Sequence, residues 1–177
     1  MTAGLTNPAP EVTRLQRLSA GCRQDGRPLT LAEHRALHGD LPAPGRHDAR
    51  HLQQALAGAG LRGRGGAGFP AARKLAAAWE SGKRGLLIAN GAEGEPASLK
   101  DRTLLGLTPH LVLDGAQLAA RAIHAREVVL AVHGEGRLPA VLAQAMGERS
   151  GRDAVPARLL EVPARYVAGE ASALAGA

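Results

Sequence analysis

From residue 48 onward the apolar positions fall into a helical rhythm. Leu52, Ala55, Leu56 and Ala59 recur at three- and four-residue steps, and Gly58 and Gly60 end the run. A glycine-dense loop follows. Pro70 then stands where proline suits a helix start, ahead of AARKLAAAWE, which Ser81 and Gly82 stop. Past Gly85 the texture changes to short apolar runs, GLLIAN at 85–90, EVVLAVH at 127–133 and ARLLEV at 157–162. Helical stretches separate them, one around 111–124 and one within 138–151. The strands do not alternate apolar with polar, so both of their faces are expected to be covered. Strand–helix–strand order therefore predicts an α/β fold, a parallel sheet flanked by helices with right-handed crossovers. Residues 1–45, rich in Pro, Gly, Arg and His, show helical spacing only at 29–38. They are expected to form a loosely structured, extended leader ahead of one α/β domain at 46–177.

Composition narrows the classes. A chain of 177 residues suits one domain with a real core and is too short for a multidomain enzyme. Hydrophobic types at 45% and charged types at 21% exclude wholesale disorder. Aromatic side chains are confined to Phe69, Trp79 and Tyr166, which excludes folds that read single-stranded nucleic acid on aromatic platforms. The net charge of +6 comes from basic residues scattered singly, so neither a polybasic tail nor a nucleic-acid partner is expected. Cys22 is the only cysteine, which excludes an internal disulfide, a CxxC pair and an iron–sulfur cluster held by cysteines of this chain. No apolar run approaches the roughly 18 residues of a spanning helix, so direct membrane insertion is not expected and a reducing cytoplasm fits.

Residues 60–70 read GLRGRGGAGFP, and Gly63, Gly65 and Gly68 satisfy GxGxxG. A dinucleotide fingerprint needs a strand immediately before the glycines, whereas here a helix precedes them. The loop keeps its physical content nonetheless. Glycines let several N–H groups converge on an anion, and the helix that follows adds unsatisfied donors and its positive dipole end. Arg62, Arg64 and Lys74 can add charge. The alternative is a flexible linker between two helices.

The second dense segment, NGAEGEPASLKDR at 90–102, begins where the first predicted strand ends. Ligands of open parallel sheets collect outside the carboxyl ends of the strands. Asn90 offers donor and acceptor to a planar heterocycle, and Glu93 and Glu95 offer acceptors to amide or ribose hydroxyl groups. The alternative is a solvated turn.

Smaller signals carry less. His47 and His51, and likewise His34 and His38, are four apart on a helix, but no third ligand converges and a polar helix face explains each pair, so no metal is expected. Trp79 is expected in the core or at an interface, and Cys22 is incidental. Ser98 and Ser172 lack any nucleophile pattern.

Taken together, GLRGRGGAGFP, Lys74, a strand ending in Asn90, GEP, KDR and PHLVLDG resemble the flavin-binding part of the F-type flavoprotein subunit of NADH dehydrogenase (respiratory complex I) and its soluble relatives in hydrogenases and formate dehydrogenases. The likeness runs from about Leu52 to Leu174. It includes Tyr166–Leu174, similar to the family's YxCGEExAL segment. It implies a Rossmann-like sheet, FMN as cofactor, NADH as substrate and hydride transfer from NADH to FMN. By resemblance, Gly63, Arg64, Gly65, Gly66 and Gly68 cradle the FMN phosphate and approach NADH. Lys74 contacts the flavin, Asn90 its isoalloxazine edge, and Phe69 packs by the adenine end. Glu95 faces the nicotinamide nucleotide, and Gly169 and Glu170 close over the flavin. Ala92, Ala77 and Ala171 depart from the family pattern at positioning contacts. The family's ubiquitin-like and iron–sulfur domains are not within these residues. The domain is therefore expected to be C-terminally incomplete and, for turnover, to need either that portion or an iron–sulfur subunit. A non-catalytic or degenerate nucleotide- or phosphate-binding fragment is the alternative.

Overall fold

A computed structural model describes residues 18–45, 48–63, 67–93 and 98–163. Four helices precede or surround the glycine and acidic loops: α1 (Leu31–His38), α2 (Asp48–Gly58), α3 (Ala71–Glu80) and α4 (Lys100–Leu107). Two longer ones, α5 (Pro109–Ala122) and α6 (Leu138–Glu148), connect strands β1 (Leu86–Asn90), β2 (Glu127–His133) and β3 (Ala157–Val162). The strands form one parallel sheet in the order β1-β2-β3, with Leu87 opposite Val128 and Leu130 opposite Leu159. The expected α/β fold with a parallel sheet flanked by helices is what the chain adopts.

β2 is central, and Val128 to Val132 are each at most 2% exposed, which is why that run shows no polar alternation. One face of the sheet presents Leu87, Ala89, Val128, Leu130, Val132 and Leu159 to Leu105, Leu113, Ala116, Ala120 and Leu142 of α4, α5 and α6. Burial of each Leu or Val contributes about 1.5–3 kcal/mol, so this layer dominates the fold. The opposite face carries Ile88, Ala131, Leu160 and Val162, joined by Ala92 from the loop after β1.

Two local features go beyond the sequence reading. Within 18–45, α1 forms inside the stretch of helical spacing expected at 29–38, and it is anchored. Thr30 and Glu33 make a reciprocal capping box on α1, and His34, 3% exposed, places Nε2 2.8 Å from Asp114 Oδ2 of α5. His34 thus serves as a buried polar tether rather than part of a solvated helix face. The second feature is α4, which starts inside the stretch expected to be a polar loop. Its eight residues hold Gly106 and a charged first turn, a weak local signal, and Leu105 secures it by packing into the core.

Candidate functional site

The loop that leaves β1 is built by side chain–backbone bonds. Asn90 Oδ1 accepts the Ala92 N–H at 3.0 Å, an Asx turn, while the Gly91 N–H donates to the Ala131 carbonyl at 2.8 Å and extends the ladder past the strand. A Cβ at Gly91 would strike Leu105 Cδ1 and come within 3.3 Å of the Ala131 carbonyl oxygen, so a larger residue here would have to displace the Leu105 side chain in the core. Ala92 is 5% exposed and packs with Ala131 and Val162.

Glu93 faces inward. Its Oε1 accepts from Ser98 Oγ at 2.5 Å and from the Asp101 N–H at 3.2 Å, with Lys100 Nζ 3.7 Å away. Leu99 offers α4 no side-chain cap, so the Glu93 carboxylate takes that role from a distance in sequence. Burial opposes its ionisation, but the bonds from Ser98 and from the Asp101 and Arg102 backbones, with the Lys100 charge, outweigh it and hold the carboxyl below its ordinary value.

His133, the last residue of β2, completes this edge. Its Nε2 lies 3.1 Å from the Glu93 carbonyl oxygen, and its Nδ1 is buried without a hydrogen-bond partner among the described residues. In strand register Asn90 and His133 extend the face of Ile88 and Ala131. Reading the sequence alone misses His133. The available signal is a polar residue closing an otherwise apolar strand at the carboxyl end.

The glycine loop is a tied loop, not a free linker. Its arms pair at Arg62 and Pro70, the Ala71 N–H donates to Leu61 O at 2.9 Å, and the Gly63 N–H donates to Phe69 O at 2.9 Å. Gly68 sits at φ +52, which a β-branched residue would resist, and Arg62 Nη1 reaches its carbonyl at 3.4 Å. The loop feeds α3, whose start has no side-chain cap and no acidic residue in the first turn. Arg73 and Lys74 lie in that turn, and the Arg73 guanidinium stands 5.8 Å from the centroid of the half-exposed Phe69 ring.

The structure thus gathers Asn90, Glu93 and His133 at the carboxyl edge of the sheet, and Gly63, Gly68, Phe69 and Lys74 around the entry to α3. Arg64, Gly65, Gly66, Glu95, Gly169 and Glu170 lie outside the described residues. FMN fits these donors and acceptors: its phosphate matches an uncapped, acid-free helix start, and a ligand N–H or hydroxyl matches the buried Nδ1 of His133.

An open parallel sheet with a tied glycine loop and a polar loop at its strand ends defines a nucleotide-binding α/β domain. A sequence model of the Nuo51 FMN-binding domain matches residues 56–177, and the chain belongs to that family. It is 40% identical over 81 residues to the mitochondrial NADH-ubiquinone oxidoreductase 51 kDa subunit of Neurospora crassa, covering 43% of this chain and 16% of the relative. An NADH-quinone oxidoreductase polypeptide of Aquifex aeolicus is likewise 40% identical, over 75 residues, covering 42% and 18%. The crystal structure of an air-oxidized NAD+-reducing [NiFe]-hydrogenase superposes with a TM-score of 0.66 at 32% identity, over 96% of this chain and 33% of that one. The chain therefore spans a third or less of each of these relatives. No described helix is long and apolar enough to cross a membrane.

Proposed function

We propose that this chain is the FMN-binding portion of an NADH dehydrogenase flavoprotein subunit, holding the cofactor between the glycine loop and the carboxyl edge of the sheet. Bound FMN supplies the capacity to take a hydride from NADH and to release electrons one at a time. The chain's own residues bind and orient. The N–H groups at the start of α3, with Arg73 and Lys74, hold the phosphate, and Gly63, Arg64, Gly65, Gly66 and Gly68 let the backbone approach it. Asn90 and His133 orient the ring system from the strand ends, with Glu93 keeping their loop in place. Glu95 and Phe69 receive the nicotinamide nucleotide, and Gly169 and Glu170 cover the flavin. Electrons leave through an iron–sulfur subunit or through the further length that the relatives possess. We place the protein in the cytoplasm, where the exposed Cys22 stays reduced.

The observation that carries this proposal is the tied glycine loop feeding an uncapped helix start inside the family-matched segment. Titration of the full chain into FMN, read by flavin fluorescence, tests it. Saturable quenching is expected, lost in Gly66→Val and retained in His51→Ala. Equal affinities of the two variants, or no quenching by the unmodified chain, would overturn it.

A further inference from the structure

At the amino edge of the sheet, opposite the loops described above, lies a cleft of about 930 Å³. Arg84 stands two residues before β1 and Arg126 one residue before β2. Arg50 of α2, Arg121 of α5 and Trp79 of α3 complete its walls. No acidic side chain lines it among the described residues, and the guanidinium groups of Arg50, Arg84 and Arg126 have no carboxylate partner among those residues. Arg121 is fixed in place by donating to the Pro42 and Ala43 carbonyls at 2.8 and 3.2 Å. Gln53 adds a second kind of observation. It lines the same cleft, and its amide nitrogen is buried with no acceptor among the described residues.

These features have one chemical complement. Like charges gathered on low-dielectric walls raise the local positive potential, which an anion relieves. Guanidinium groups match phosphate oxygens two at a time, and an amide donor without an acceptor seeks an oxygen of the same kind. Trp79, 44% exposed on the cleft wall, offers an apolar face suited to a planar base. The volume falls in the range of about 300–1,000 Å³ typical of small-molecule sites.

We propose that this cleft is a second binding site, for a nucleoside diphosphate, with the phosphates on Arg84 and Arg126 and the base against Trp79. The site is separate from the flavin site and does not depend on it.

Calorimetric titration of the full chain with inorganic pyrophosphate and with ADP tests the proposal. Both are expected to bind. The double variant Arg84→Ala/Arg126→Ala should weaken each by roughly 10- to 100-fold, the worth of one charged hydrogen bond. Gly66→Val, in the flavin loop, should leave the arginine-dependent part of pyrophosphate binding unchanged, whatever pyrophosphate the flavin loop itself takes up. ADP should bind more tightly than pyrophosphate, and Trp79→Ala should remove that advantage alone. Arg50→Ala, on an exposed helix face, provides the same comparison if the double variant does not fold. Pyrophosphate binding that survives loss of the arginines undiminished but not Gly66→Val would overturn the proposal, as would the absence of binding by either ligand at several millimolar. Arginine-dependent binding of polyglutamate without binding of pyrophosphate would overturn it in favour of an acidic polypeptide.

Discussion

His133 and Glu93 meet across the carboxyl edge of the sheet, with the imidazole Nε2 3.1 Å from the Glu93 carbonyl oxygen. A carbonyl oxygen only accepts, so this contact assigns the proton of the neutral ring to Nε2 and makes Nδ1 an acceptor. Nδ1 is buried with no partner among the described residues, a cost that a ligand donor would relieve. His133→Leu removes both roles. We expect FMN affinity to fall about 2- to 12-fold, the worth of one net hydrogen bond, with the melting temperature held or raised. Unaltered affinity in a fluorescence titration would show that Nδ1 faces no part of the ligand.

Glu93 binds its own loop to α4 through Ser98 and the Asp101 N–H. Glu93→Ala should cost about 1–3 kcal/mol, because it strands those donors in a half-buried site. The folded-state carboxyl is held below its ordinary 4.5, so its contribution is complete above that value and is lost as pH falls through the lowered one. Urea denaturation should therefore show the deficit of the variant at pH 6 shrinking towards pH 3. A deficit independent of pH would mean the charge plays no part.

Asp114 joins three segments. Its two oxygens meet His34 Nε2 at 2.8 Å and Arg149 Nη2 at 2.7 Å, and Arg149 also holds Asp153 at 2.8 Å. Arg149 is 5% exposed, so removing one carboxylate leaves a buried cation short of charge. Asp114→Asn should destabilise the chain by about 3 kcal/mol, at the lower end for a broken buried pair because Asp153 remains. Limited trypsin digestion should then cut first within 18–45, since α1 loses its tether. A cleavage order identical to that of the unmodified chain would show that other contacts hold α1.

His110, 2% exposed, sets a different pH window. Burial lowers its pKa from the ordinary 6.5, and the neighbouring Arg149 and His34 add to that, while Glu148, 3.3 Å from Nε2, opposes it. Below 6.5 the unfolded chain takes up a proton that the folded chain resists. Stability is therefore full above that pH and declines as pH falls from there through the lowered value. His110→Gln should flatten the fall in melting temperature between pH 7 and pH 5. An unchanged slope in differential scanning calorimetry would assign that fall to other groups.

Particular residues show how much of the site is legible in advance. Gly63, Gly68, Asn90 and Glu93 stand out in the sequence for what their side chains, or lack of them, permit, and each lies in a turn or at an element end in the fold. Their partners are not visible there. The sequence suggests that Asn90 offers both donor and acceptor to a planar heterocycle, yet its oxygen is engaged by Ala92, and Glu93 caps a helix that local propensity barely supports. Trp79, expected in the core or at an interface, stands 44% exposed on the cleft wall, which excludes the core.

By itself the sequence determined the three strands, the helices at 48–58 and 71–80, those it placed around 111–124 and within 138–151, which the fold puts at 109–122 and 138–148, the parallel sheet and the place of the glycine loop. Those features depend on the period of apolar residues and on glycine and proline punctuation, which are local properties of the chain. Only the tertiary structure decided that His34 reaches Asp114, that Glu93 caps α4 and that His133 meets the Glu93 carbonyl. It alone brought Arg50, Arg84, Arg121 and Arg126 around one cleft. Each of these pairings joins residues apart in sequence through burial and charge, and no periodicity along the chain encodes which partner a polar side chain will meet.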